Sequence, residues 1–290
     1  MKNILCLFFL FFISDSWSIN SQMAAQNKAI EFTKGAYSLI FYGDAGEYVS
    51  SGAFSVFGHD KRLYKARGNP HAINFSLYDY KSFYVDFAAL YDDPLQVMTY
   101  KNALRYPFNG QSHPGLAFNG DGRGCNQVSG KFKVLEIEVD ANGNIQKFAA
   151  DFEHHCEKLE RAVYGSVRYN SDISVISNPS YLTEDKIEVP LVEIKTDSGK
   201  REYNSLVMHE TYKNSNQYVI DSILPAVLRD KNEIFIPAAY DIESERFVIP
   251  SVIQTLSDGS AAEFEMRFFN IPKNLKVGDY LTLDEIIKIR

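Results

Sequence analysis

The side chains best suited to chemistry fall in two short strings, Gly120-Asp121-Gly122-Arg123-Gly124-Cys125-Asn126 and Asp151-Phe152-Glu153-His154-His155-Cys156-Glu157. Asp121 and Glu153 form a candidate general acid/base pair if something draws the two strings together. Asp151, Glu153 and His155 alternate in sequence. On a strand they share one face, where two carboxylates and an imidazole can converge on a metal ion. Each of these readings has a plainer rival. Glycines around Asp121 suit a bent loop with positive φ, and Arg123 can hold that loop by pairing with Asp151 or Glu153. Alternating polar residues also suit the exposed face of a half-buried sheet. No Cys/His spacing of a known metal site is present, and neither Gly-x-Ser-x-Gly nor His-Glu-x-x-His occurs. Residues 110–115 come closest to the serine elbow but have the wrong spacing and read as a turn. His154 has the opposite parity, beside Cys156, and reads as a core histidine. The plainer readings are favoured, and no cofactor is implied.

Something must position those strings, and the cysteines are the first clue. The chain has 290 residues and 3 cysteines. Residues 4–13 form an unbroken apolar run behind Lys2, followed by Ser16 and Ser18 at small-x-small spacing. This is expected to be a signal peptide, residues 1–18, with residues 19–33 as a leader. The apolar run is shorter than the ~20 residues a membrane-spanning helix needs. Removing it takes away Cys6 and leaves Cys125 and Cys156, which in an oxidising compartment are expected to pair. Closing that loop stabilises the fold by about 3–4 kcal/mol on a chain-entropy estimate. Formal charge is −7 with no basic cluster. Nucleic acid and anionic membrane surfaces are therefore poor partners, and no later segment is apolar enough to span a membrane.

Much of the chain alternates with period two. Tyr37, Leu39 and Phe41 share one face, Ile73, Phe75 and Leu77 another, and Phe83, Val85 and Phe87 continue the pattern. Gly43-Asp44-Ala45-Gly46, Gly68-Asn69-Pro70 and Asp92-Asp93-Pro94 punctuate these runs as turns. The spacing predicts an antiparallel β-sandwich or barrel. Between Lys131 and Asp140 the apolar parity changes, which predicts either burial of both faces or a bulge near Val134-Leu135. Asp140-Ala141-Asn142-Gly143-Asn144 reads as a hairpin turn; for a calcium loop the glycine stands at the wrong place. Residues 149–164 remain open between a helix and strand–turn–strand, because Phe148, Phe152, Cys156, Leu159 and Val163 fall at helical spacing.

Gly120-Asp121-Gly122-Arg123-Gly124-Cys125-Asn126, Phe148-Ala149-Ala150-Asp151-Phe152-Glu153 with His155-Cys156-Glu157, and Gly165-Ser166-Val167-Arg168-Tyr169-Asn170 together resemble a family of exported bacterial domains of unassigned function. Gly43-Asp44-Ala45-Gly46-Glu47-Tyr48-Val49, Asp86-Phe87-Ala88-Ala89 and Arg105-Tyr106-Pro107-Phe108 fit the same pattern upstream, so the resemblance spans residues 34–171. It implies an all-β domain with the cysteines as a recurring pair, and strand–turn–strand at residues 149–164. This chain departs from the pattern by having Lys158-Leu159-Glu160-Arg161 where a glycine-rich turn is usual. It also lacks the family's tryptophan near Asp86. The resemblance carries no activity.

Residues 181–290 read as a smaller β domain after a linker at Ser177-Asn178-Pro179-Ser180. They contain two similar three-strand repeats, about 184–229 and 243–290, with Ile187-Glu188-Val189-Pro190-Leu191-Val192 answering to Phe247-Val248-Ile249-Pro250-Ser251-Val252. Pro190 and Pro250 cannot donate to a ladder, so each is expected at an edge or a bulge. Tyr78, Tyr80, Tyr84 and Tyr106 are candidates for stacking on a glycan, although tyrosines more often fill a sandwich core. The expected function is a non-catalytic binding or structural module of the periplasm or extracellular space. Its ligand is unknown, and Asp121, Arg123, Asp151, Glu153 and His155 are its candidate contacts. The alternative is a hydrolase or metal-dependent enzyme built on Asp121, Asp151, Glu153 and His155.

Overall fold

The computed structural model describes Phe32 and residues 34–195, 201–226, 233–242 and 244–290. The expected signal peptide and the leader apart from Phe32 lie outside these residues, as do Asp197-Ser198-Gly199, which the repeat is expected to match with Ser257-Asp258-Gly259. The first sheet takes ten strands: β1 (Ala36–Gly43), β2 (Phe54–Val56), β3 (Tyr64–Asn69), β4 (Ala72–Tyr78), β5 (Ser82–Ala88), β6 (Thr99–Arg105), β7 (Gly115–Gly120), β8 (Val128–Val139), β9 (Ile145–Cys156) and β10 (Ala162–Ser171). The second takes eight: β11 (Ser180–Thr183), β12 (Lys186–Lys195), β13 (Arg201–Glu210), β14 (Gln217–Pro225), β15 (Ala238–Asp241), β16 (Arg246–Thr255), β17 (Ala261–Phe269) and β18 (Tyr280–Lys288). A 3₁₀ turn lies at Lys61–Leu63. The fold is all-β, as the alternation predicts.

The first sheet runs β2-β1-β10-β9-β8-β6-β7-β5-β4-β3 and is antiparallel except at β6–β7. It curls until β3, at one edge, lies against β9 and β10. The enclosed core is aromatic: Phe41, Phe75, Phe83, Phe87, Phe118, Phe132, Phe148 and Phe152 are all buried there. Removing eight such rings from water is the largest favourable contribution the sheet has. The parity change in β8 is a bulge, since Val134 pairs with Ala150 and Glu136 with Ala149, leaving Leu135 without a partner. Asp140-Ala141-Asn142-Gly143-Asn144 is a turn in which the Asp140 carboxylate accepts from the Asn142 and Asn144 amides, with Gly143 at φ 80°.

Residues 149–164 are strand–turn–strand, and the helix alternative is overturned. Glu157 and Lys158 both take left-handed backbone, at φ 54° and 59°, and the chain reverses into β10. Helix propensity at residues 157–161 loses to the two ladders that β9 makes, with β8 on one side and β10 on the other.

The second sheet closes on itself. β11 and β15 lie between β12 and β16, each pairing antiparallel with its sequence neighbour and parallel with the other strand. The ladder β12–β13 shifts register between Val189 and Val192, and β16–β17 shifts between Ile249 and Val252. Pro190 and Pro250 sit in those gaps, where no amide donor is needed.

Where the sheets meet, polar groups are buried in pairs. Arg168 Nη1 donates to Asp151 Oδ1 at 2.9 Å, and Arg290 Nε donates to Glu263 Oε2 at 2.9 Å, with all four side chains almost wholly excluded from water. Ser177 donates to Asp151. Ser174 and Ser251 donate to Glu263 at 2.7 and 2.5 Å. The segment between β10 and β11, which includes the expected linker, is thus a wedge, with Val175 and Ile176 packed on Ala36, Ile40 and Ile236. Asn178 exchanges hydrogen bonds with the Ile236 backbone.

Breaking one partner of such a pair strands a buried charge. Asp151→Ala should lower unfolding free energy by about 3–5 kcal/mol in urea melts, because Arg168 keeps no carboxylate. A loss below about 1 kcal/mol would contradict the seam described here.

Candidate functional site

The two cysteines are joined. Cys125 and Cys156 form a disulfide with Cα atoms 5.4 Å apart, and both are buried. The bridge fixes the connection between β7 and β8 to the end of β9. Just ahead of it, Asp121 and Gly122 take left-handed backbone at φ 52° and 76°. Gly120 and Arg123 exchange backbone hydrogen bonds of 3.0 and 2.9 Å across them. This is a two-residue type I′ turn, for which Asp-Gly is a favoured pair. The glycine-rich string is therefore a tight reversal stapled from behind.

The structure divides the five candidate residues among three places. Asp121 and Arg123 flank the turn tip. Asp121 lies 2.8 Å from Lys81 Nζ, which holds its carboxyl below the usual carboxylate range. Arg123 donates to the Tyr48 carbonyl and to Ser51 Oγ, not to Asp151 or Glu153. Asp151 is buried in the seam on Arg168. Glu153 and His155 stay together on the other face of β9 from the aromatic core: His155 Nε2 lies 3.0 Å from Glu153 Oε1, and Lys131 Nζ lies 2.8 Å from Glu153 Oε2. Asp121 and Glu153 are thus committed to different partners, and Asp151, on the same face of β9 as Glu153 and His155, is bound instead by Arg168 and Ser177. Among the described residues no three His, Cys, Asp or Glu side chains group as metal ligands.

The titration behaviour follows from these partners. Burial pushes Glu153 up, but the bonds from His155 and Lys131 outweigh it and hold the carboxyl below its ordinary value. His155 is raised, first by its bond to Glu153. Its Nδ1 also donates to the Leu159 carbonyl at 3.1 Å, so both ring nitrogens meet acceptors and the imidazolium is favoured. His154 points into the core beside Phe118 with no hydrogen bond to either ring nitrogen, and burial lowers it to about 3.

The concave surface lies at the stapled turn. A shallow depression of about 460 Å³ is lined by Tyr80, Lys81, Ser82, Tyr84, Asn119 and the Gly120–Arg123 turn. Tyr80 is 78% exposed and leans on Phe57, ring centroids 5.9 Å apart. Sequence reading missed Lys81 and Asn119, which stand far from Asp121 in sequence or outside any motif. It also missed a polar cluster between the sheets, where Arg201 bonds Tyr42 and the Gly43 carbonyl and Tyr42 meets Tyr203 at 3.0 Å. A second depression of about 330 Å³ on the second sheet holds His209 Nδ1 2.7 Å from Asp221 Oδ1. No family model, curated protein or solved structure matches the chain.

Replacing both cysteines by serine should cost about 3 kcal/mol of unfolding free energy, read by urea melts; an unchanged midpoint would contradict the staple. The adjacent histidines should give opposite pH slopes. His154, depressed when folded, contributes stability that is present above the unfolded value of 6.5 and is lost as pH falls from there towards 3. His155, raised when folded, contributes stability that is present below 6.5 and is lost as pH rises through its folded value. Melts from pH 4 to 8 should therefore lose the acid-side slope in His154→Phe and the alkaline-side slope in His155→Gln. Slopes unchanged in both variants would contradict the assignment.

Proposed function

We propose that the chain is an exported, non-catalytic binding module of the periplasm or extracellular space, belonging with the family that its Gly120–Asn126 and Phe148–Glu157 strings resemble. The observation that carries this reading is the stapled type I′ turn. It holds Asp121 and Arg123 rigidly at the rim of an open depression while spending their charges on Lys81, Tyr48 and Ser51. Such a surface suits recognition of a ligand more than proton transfer, which needs a general base free to act.

A formed disulfide supports an oxidising compartment. The other strings of the resemblance also have structural work. Asp44 accepts from the Ala162 amide at 2.9 Å, and Glu47, buried, accepts from the Val49 and Ser50 amides. In the second sheet, the bulges at Pro190 and Pro250 recur at an offset of sixty residues. The parallel pairs Ser180–Val252 and Val192–Ala238 are images of each other under exchange of the two halves. We read this sheet as two copies of one unit, each now including a short leading strand, β11 or β15.

Fragment screening of oxidised, isotope-labelled protein by NMR tests the binding reading. Amide shifts should gather at Tyr80–Ser82 and Gly120–Arg123. Shifts gathering instead at Lys131, Glu153 and His155, together with a hydrolytic turnover lost in Glu153→Gln, would replace it with the enzyme reading.

A further inference from the structure

We propose that the outward face of β4, β5 and β7, together with the depression at the Asp121 turn, binds a carbohydrate chain; this rests on the binding-module reading and names its ligand class. The inward residues of these strands, Phe75, Leu77, Phe83, Val85, Leu116 and Phe118, are all in the aromatic core. Strand parity therefore turns Asn74, Tyr84, Asp86 and Asn119 outward, half-buried, with Ser76 covered between them.

Register aligns them in rows across the strands. Lys65 stands opposite Ser76, Ser76 opposite Tyr84, and Tyr84 opposite Asn119. In the next row Arg67, Asn74 and Asp86 follow one another. With neighbouring strands about 4.8 Å apart, four strands give a polar row about 15 Å long, which fits an extended ligand better than a single small molecule.

The row is fixed before any ligand arrives. Asn74 Nδ2 donates to Asp86 Oδ1 at 2.7 Å, and Ser76 Oγ donates to Asn74 Oδ1 at 2.6 Å. Tyr78 and Tyr84 meet edge to face at 5.8 Å, and Lys65 sits 5.1 Å over the Tyr78 ring. Tyr80, backed by Phe57, closes one end as an exposed platform. Preorganised amides, hydroxyls and a carboxylate beside flat rings match the two surfaces of a pyranose, its hydroxyl rim and its apolar C–H face. At the depression Lys81 is paired with Asp121 and Arg123 bonds backbone and hydroxyl oxygens, while Lys65 and Arg67 stand exposed on β3 at the sheet edge. The chain as a whole carries −7. A polyphosphate backbone is therefore a poorer match than a hydroxyl-rich polymer.

The test is an immobilised array of neutral and uronate-bearing oligosaccharides, probed with the oxidised full chain and three single variants. Wild type should be retained on at least one glycan class. Tyr80→Ala and Asn119→Ala should each weaken retention at least tenfold with unchanged melting temperature. Tyr212→Ala, which removes another well-exposed ring from the turn between β13 and β14, should leave it unchanged. Retention that survives both face variants, or no retention on any glycan, overturns the proposal. If fragments still shift the Gly120–Arg123 amides when no glycan is retained, the carbohydrate assignment alone falls; if those amides stay silent as well, the binding-module reading falls with it.

Discussion

One covalent joint governs the working end of the first sheet. The Cys125–Cys156 bridge ties the loop after β7 to the last residue of β9, and the two αL residues of the type I′ turn lie just upstream of it. A two-residue hairpin turn has a single preferred twist. Once its base is bonded to a neighbouring strand, the direction of Asp121 and Arg123 is set by backbone, with no help from flexible side chains. Further ties point the same way: the Asn126 amide donates to Glu157 at 2.5 Å, and Asp121 N–H donates to the Ser82 carbonyl at 3.0 Å. The depression is the space left between this fixed tip and the turn that carries Tyr80.

The polar residues of β9 and β10 have a different fate because both faces of these strands are covered. One face meets the aromatic core; the other meets the wedge of residues 172–179 and the second sheet. A carboxylate in that setting is tolerable only with a cation and further donors around it. Asp151 obtains Arg168 and Ser177, and Glu263 obtains Arg290, Ser174 and Ser251. The same requirement explains Arg201, whose guanidinium joins Glu193 of its own sheet to Tyr42 and Gly43 of the other. Burial pushes the Glu193 carboxyl up, as expected where the cation only partly offsets desolvation. These groups orient the two sheets; they are occupied in doing so.

Features governed by local rules were legible in the sequence. Period-two alternation located β1, β4 and β5, the parity change at Leu135 marked a real bulge, and Pro190 and Pro250 marked two more. The Asn-Gly turn at residues 142–143 and the pairing of the cysteines were also readable, the latter by counting. Features that depend on distant partners were not. Nothing around Asp151 signals that Arg168, Ser177 and a second sheet will enclose it, so it looked equivalent to Glu153 and His155 on the same strand face. The helix signal at residues 157–161 was genuine as a local preference, and two long β ladders overrode it. Lys81 reaches Asp121 only through the order of strands in the sheet, which no spacing in the chain reveals.

The bridge, and not the turn sequence alone, holds the Asp121–Arg123 tip in place. Hydrogen exchange at the Gly120 and Arg123 amides, followed in oxidised and reduced protein, tests this. Both amides should be protected in the oxidised chain and lose most of that protection on reduction, while the Phe118 and Phe152 amides in the core ladders stay protected. Equal protection of Gly120 and Arg123 in the two states would contradict it.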